Sequence, residues 1–239
     1  MKRFALIVLI ILPFFISSCT KSSKRAAVTT PPRPIPEKEI AMAPPVKRVR
    51  PGQLIVIDAG HGGKDLGTQT LTGPKAYEKY LSLSTAYILE RYLKEMGFKT
   101  VMTRTDDTFV PLKDRAAFAN ERRPVLFVSV HYNAAENTSA HGIEVFYHKS
   151  EKDPDRVEKS KAVAGKVLEG VIATTEAKSR GVKTANFVVI KETKMPAILV
   201  EGGFLTNSDE ATKIRNGSYL KQVAWGIATG IREYFAEQR

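Results

Sequence analysis

The chain has 239 residues, 43% hydrophobic and 26% charged, the makeup of an ordinary globular protein with room for one sizeable core plus appendages. Its formal net charge of +12 implies an anionic partner, such as nucleic acid, a membrane surface or an acidic wall polymer, although a basic secreted protein with solvated charges accounts for most of the excess. Nucleic acid is set aside, because the Lys and Arg residues are spread over a linker and several helices with no recognition motif beside them.

In chain order, Met1-Lys2-Arg3 is a basic start and Phe4 to Ile16 an apolar run too short for a comfortable membrane span, the pattern of a signal peptide. Ile16-Ser17-Ser18-Cys19 resembles a bacterial lipobox, with Ile in place of the more usual Leu, and makes Cys19 the candidate lipid-attachment site. The competing reading is an ordinary signal peptide whose cleavage removes Cys19. Either way the mature domain lacks cysteine, which suits an oxidising compartment. Thr20, rather than Asp, follows the Cys, which in a Gram-negative cell favours the outer membrane. Residues 20–51 are proline-rich with few aliphatics and read as an extended tether, reaching on the order of 100 Å if fully polyproline-like.

Residues 52–239 alternate strands and helices. Gln53 to Ala59 reads as a buried strand ending in a Gly-rich loop, and Glu78 to Met96 as a helix with Leu81, Ile88, Leu89, Tyr92 and Met96 on one face and Gly97 as its stop. Lys99 to Thr103 is a strand with Arg104 at its end, Leu112 to Arg122 a shorter helix, and Val125 to Val130 and Ile143 to Tyr147 are strands. Val157 to Ile172 is helical, Asn186 to Ile190 and Ala197 to Val200 are strands, and Tyr219 to Phe235 is an amphipathic closing helix. Continuously apolar strands alternating with helices predict one α/β domain: an open, mixed but mostly parallel sheet with helices on both faces.

Four residues stand at the ends of these elements: His61 and His131 after strands, Glu78 opening the first helix, and Glu201 after Ala197-Ile198-Leu199-Val200. Side chains scattered in sequence but grouped at strand ends are how an open α/β sheet builds a site. Two imidazoles and a carboxylate match a zinc shell with an open position, and the second carboxylate remains free to act as a base.

Val56-Ile57-Asp58-Ala59-Gly60-His61-Gly62-Gly63, Glu78, Ser129-Val130-His131-Tyr132-Asn133, Gly142-Ile143-Glu144-Val145-Phe146-Tyr147 and Pro196-Ala197-Ile198-Leu199-Val200-Glu201-Gly202-Gly203-Phe204-Leu205-Thr206-Asn207 together resemble the zinc-dependent N-acetylmuramoyl-L-alanine amidases, over residues 53–236 and in the expected order. The resemblance implies Zn²⁺ held by His61, Glu78 and His131, with Glu201 as general base and then general acid. It implies attack of a water on the lactyl carbonyl of muramic acid, release of stem peptides from peptidoglycan, and a part in daughter-cell separation. Asn133 and Arg180 are the candidate substrate contacts, although Arg115 and Arg180 read more readily as structural ion-pair residues. Asp58 either orients an imidazole or caps its own loop, and His141 reads as an exposed turn residue. Some members of the family carry an inserted helix that plugs the zinc site. Tyr147 to Arg180 has room for one long helix, which the core needs, so no plug is expected and control falls to location or to an envelope activator protein. The expected state is a monomer on the periplasmic side of the envelope, lipid-anchored through Cys19.

Three rivals stand beside this reading. Ser218-Tyr219-Leu220-Lys221 has the Ser-x-x-Lys spacing of penicillin-binding enzymes, with Lys183-Thr184-Ala185 close to their Lys-Thr-Gly, and would make Ser218 and Lys221 a D-Ala carboxypeptidase site. The others are a wall-binding lipoprotein without chemistry and a zinc hydrolase of a different amide. The presence of all four metal and base residues argues against lost chemistry.

Overall fold

A computed structural model describes residues 52–238; the signal-peptide, Cys19 and tether readings lie outside the described residues. Six strands form one sheet in the order β2-β1-β3-β6-β4-β5. They are β1 (Leu54–Ala59), β2 (Lys99–Met102), β3 (Leu126–Asn133), β4 (Ile143–Tyr147), β5 (Ser179–Thr184) and β6 (Ala197–Phe204). The strands β2, β1, β3 and β6 run parallel; β4 is antiparallel to β6, and β5 parallel to β4. The sheet is therefore mixed and mostly parallel, as the sequence predicts.

The helices are α1 (Glu78–Glu95), α2 (Leu112–Arg122), α3 (Pro154–Thr175), α4 (Val188–Lys191), α5 (Ser208–Ile214) and α6 (Gly217–Glu237). Strand side chains alternate between faces. Ile55 and Ile57 join Val128, Val130, Ile198 and Val200 in a large core under α1, α3 and α6. Val56, Phe127, Ala197 and Leu199 meet Ala119 of α2 and Val189 and Ile190 of α4 in a smaller cluster on the other face. Among the described residues, α2 and α4 cover that smaller face. The segment after Tyr147 is spent on α3, which begins at Pro154 with Asp153 accepting from the Arg156 N–H and buries Val163, Val167 and Val171.

Two expectations are corrected. Asn186 to Ile190 is not a strand: its β-branched run winds into the one-turn helix α4, which buries Val189 and Ile190 against the smaller cluster. The strand that pairs with β4 is instead β5, Ser179–Thr184, a polar, half-exposed edge strand in which only Val182 packs on the core. No helix among the described residues is long and apolar enough to cross a membrane.

Candidate active site

His61 follows β1 in a left-handed backbone conformation, φ 59°, which is uncommon for a residue with a side chain. Two buried arginines hold it there. Arg115 of α2 donates to the carbonyls of Ala59 (2.7 Å) and His61 (2.7 Å), and Arg104, just after β2, to those of Ala59 (2.9 Å) and Gly60 (2.6 Å). Arg104 also reaches the Lys79 carbonyl at 2.8 Å, which ties the loop to the start of α1. Burial and the neighbouring Arg115 push its guanidinium down to about 10.

Arg115 is itself paired with Asp58 at 2.8 Å, and Asp58 accepts from Thr103 (2.6 Å) and Ser129 (2.7 Å). Burial alone would raise the Asp58 pKa; the Arg115 charge and the two hydroxyls outweigh it and hold the carboxyl below its ordinary range. Asp58 thus neither orients an imidazole nor caps its own loop. It anchors the arginine that anchors the loop, and Arg115 is structural, as expected.

Glu78 opens α1, where the helix dipole favours a carboxylate. Its Oε1 accepts the Tyr132 N–H (3.1 Å) and lies 3.0 Å from His61 Nε2 and 2.8 Å from His131 Nδ1; Oε2 accepts the Thr68 N–H (2.9 Å). Burial opposes its ionisation, but the two imidazoles outweigh burial and hold Glu78 far below the usual carboxylate range. One ligand atom from each of His61, Glu78 and His131 lies within 4.8 Å of the others. The imidazole rings meet edge to face at 4.9 Å. Gly60 makes room for this: a Cβ there would lie 2.2 Å from the His131 ring.

His61 Nδ1 faces Asp65 Oδ1 at 2.9 Å, a contact not aligned as a hydrogen bond. Burial works against charging His61, yet Glu78 and Asp65 together raise its affinity for a proton. Asp65 carried no separate signal in the sequence, because only the turn of the Gly-rich loop brings it beside the ring.

Glu201 is the register partner of His131 across β3 and β6. Neither residue closes its strand as predicted: β3 continues to Asn133 and β6 to Phe204 across a bulge. Glu201 Oε2 is buried and has no hydrogen-bond partner among the described residues. Burial raises its pKa well above the ordinary value, and the Glu78 and Glu144 carboxylates add to the effect.

With this geometry in place, the comparisons are specific. Residues 55–233 match the family described as Amidase_3, N-acetylmuramoyl-L-alanine amidase. The chain belongs to the N-acetylmuramoyl-L-alanine amidase family. LytC of Bacillus subtilis, an N-acetylmuramoyl-L-alanine amidase, is 35% identical over 77% of the chain, which spans 36% of LytC. The crystal structure of an N-acetylmuramoyl-L-alanine amidase from Clostridium difficile 630 is similar with a TM-score of 0.74 and 38% identity, covering 80% of this chain and 100% of that one. The CwlD amidase of Clostridioides difficile, solved in complex with the GerS lipoprotein, gives 0.71 and 27%, covering 77% of this chain and 99% of that one. The amidase is accordingly a peptidoglycan hydrolase of the cell envelope.

The other candidates in the amidase fall in two groups. Asn133 and Arg180 both converge on Glu144 of β4, Asn133 Nδ2 at 3.3 Å and Arg180 through Nε. Lys183 reaches the same carboxylate at 2.8 Å. Glu144 pairs with Glu201 across β4 and β6, so the row His131, Glu201, Glu144 crosses three neighbouring strands. The signal that marks Glu201, a carboxylate set among buried aliphatics, marks Glu144 too. Ser218, by contrast, is exposed in the first turn of α6 with its N–H on Asn216. His141 is exposed in a turn, as expected.

Proposed function

We propose that His61, Glu78 and His131 hold a zinc ion and that Glu201 moves the proton as the amidase cleaves the amide between the muramic acid lactyl group and L-alanine. One observation carries this reading: three metal-ligating groups converge within 4.8 Å, and a buried, unpartnered carboxylate stands in register with one of them. The donor set fits, since two neutral imidazoles and one carboxylate are ligands zinc accepts while keeping a position open. When bound, the ion supplies Lewis-acid activation of a water and of the scissile carbonyl.

The chain's own residues do the rest. Glu78 sets one oxygen toward both imidazoles, completing the ligand set, and Asp65 faces the other nitrogen of the His61 ring. Glu201 takes a proton from the attacking water as its oxygen bonds to the lactyl carbon. It returns that proton to the L-alanine nitrogen as the C–N bond breaks, which leaves a lactyl carboxyl and a free amine. A carboxylate suits both duties, because burial and two like charges favour its protonated form between them.

The physiological reading extends the chemistry. Lipidation at Cys19 and the proline-rich tether would hold the domain on the periplasmic side of a membrane, the outer one in a Gram-negative cell, within reach of a fixed polymer. Release of stem peptides there serves wall remodelling and daughter-cell separation. The CwlD–GerS complex supports an envelope protein as a partner.

The test is hydrolysis of purified peptidoglycan by the full chain, with chelator, with added Zn²⁺, and beside Glu201→Ala, with products sorted by mass spectrometry. Free stem peptides starting at L-alanine, lost with chelator and in the variant, are expected. Loss of only a terminal D-alanine, insensitive to chelator and abolished by Ser218→Ala, would move the active site to the serine.

A further inference from the structure

The edge strand β5 contains an irregularity that brings Val182 opposite Val145 of the large core. In an unbroken strand, residues of like parity share a face. Val182 packs on the large core, so Arg180 would face that core as well. Instead the register of β4 against β5 shifts between Ile143 and Val145, at Gly181, whose φ of 91° suits glycine. Arg180, next to Ser179 in that register, stays on the Glu144 face, and the bulge brings Lys183 to the same face, so both meet on a single carboxylate, Glu144. The Arg180 guanidinium lies over the Phe204 ring at 4.9 Å, which fixes it further.

The charge count is unequal. Glu144, with a side chain 5% exposed, brings one negative charge, while Arg180 and Lys183 bring two positive ones and remain 30% and 41% exposed. Lys183 alone would satisfy Glu144, and half-exposed ion pairs add little stability. One positive charge is left facing solvent, one strand from Glu201.

We propose that Arg180 and Lys183, aimed into the site by the β5 bulge and braced by Glu144, bind a free carboxylate of the stem peptide. The proposal rests on the amidase reading and names part of its substrate. The carboxylate of suitable reach belongs to the second stem residue, a glutamate joined through its side chain, whose α-carboxylate lies roughly 5 to 7 Å from the scissile nitrogen. Paired cross-strand positions such as Glu201 and Glu144 stand about 5 Å apart, and the two cations rest on Glu144, so they lie one strand beyond Glu201.

The experiment compares kcat/KM of the zinc-loaded full chain on muramoyl tripeptides that are unmodified, amidated at the second residue, or amidated at the third. For the native chain, amidation at the second residue is expected to lower kcat/KM about tenfold, as for a charge-assisted contact open to solvent. In Arg180→Gln and Lys183→Gln that ratio should fall toward one, with kcat/KM on the amidated substrate within about threefold of native. Arg180→Lys should keep part of the preference, and melting temperatures should stay near the native value.

Equal rates on all three substrates would overturn the proposal. So would a preference retained in both glutamine variants, or a loss that falls equally on both substrates. An effect confined to the third residue would overturn the assignment to the second. Release of stem peptide from no substrate would sink the amidase reading itself.

Discussion

The two halves of the active site are built on opposite terms. On the β1 side, Ala59, Gly60 and His61 have their carbonyls held by Arg104 and Arg115, two buried guanidiniums of which Arg115 is anchored on Asp58. On the β5 side, Arg180 and Lys183 face solvent and share one carboxylate. Both halves use arginine, yet burial decides what each arginine does. A buried guanidinium that makes four hydrogen bonds to the protein holds shape, whereas a half-exposed one with surplus charge can meet a ligand.

The contrast can be broken at several depths. The largest effect is expected at Glu201, between the halves. Glu201→Gln keeps the shape and removes the proton carrier, so kcat for stem-peptide release should fall on the order of 10³-fold. Bound zinc, measured by elemental analysis, should be retained, and a variant that loses zinc as well would make Glu201 a ligand instead. Next is the sealed side. Arg115→Met leaves Asp58 buried and unpaired, which should cost about 3 kcal/mol in urea unfolding.

The same variant sharpens a pH dependence. Folded Asp58 sits below its ordinary range, so its contribution to stability is complete above that range and lost as pH falls through the folded value. The native chain should lose stability as pH falls below the ordinary carboxylate range, about 4. Arg115→Met should flatten that slope; an unchanged slope would locate the acid sensitivity elsewhere.

A smaller effect is expected at Asp65, whose Oδ1 faces the far nitrogen of His61 and accepts the Gly67 N–H. Asp65→Asn should weaken zinc affinity about tenfold in a competition titration with a chelating dye, leaving the melting temperature of the metal-free chain in place. The smallest belongs to the open side. Lys183→Gln should change unfolding free energy by less than about 1 kcal/mol, since the pair is half-exposed. A larger loss would make the β5 cluster structural.

Much of this was legible in the sequence, and the exceptions share a cause. The strands β1, β3, β4 and β6 announce themselves because both faces are buried and the residues run apolar. His61, His131 and Glu201 stand out because an imidazole or a carboxylate follows such a run, with glycines beside His61 and Glu201. The edge strand β5 was missed because Ser-Arg-Gly-Val-Lys-Thr has one core residue and a glycine that reads as a breaker. Asn-Phe-Val-Val-Ile reads as a strand on β-branched content alone, and only the packing of α4 on the smaller cluster explains the helix. The roles of Arg104, Arg115 and Asp65 depend on contacts among segments far apart or on loop geometry, which periodicity does not encode.

The left-handed turn at His61 has a consequence for how the proposed ion would be captured. A loop that had to be ordered by its metal would give up roughly 1 kcal/mol or more of backbone entropy per residue at the moment of binding. Here that ordering is completed during folding, through Arg104 and Arg115. Amide hydrogen exchange in residues 59–61 should therefore be equally slow before and after zinc is added, and the ion would find its first ligand already standing in position.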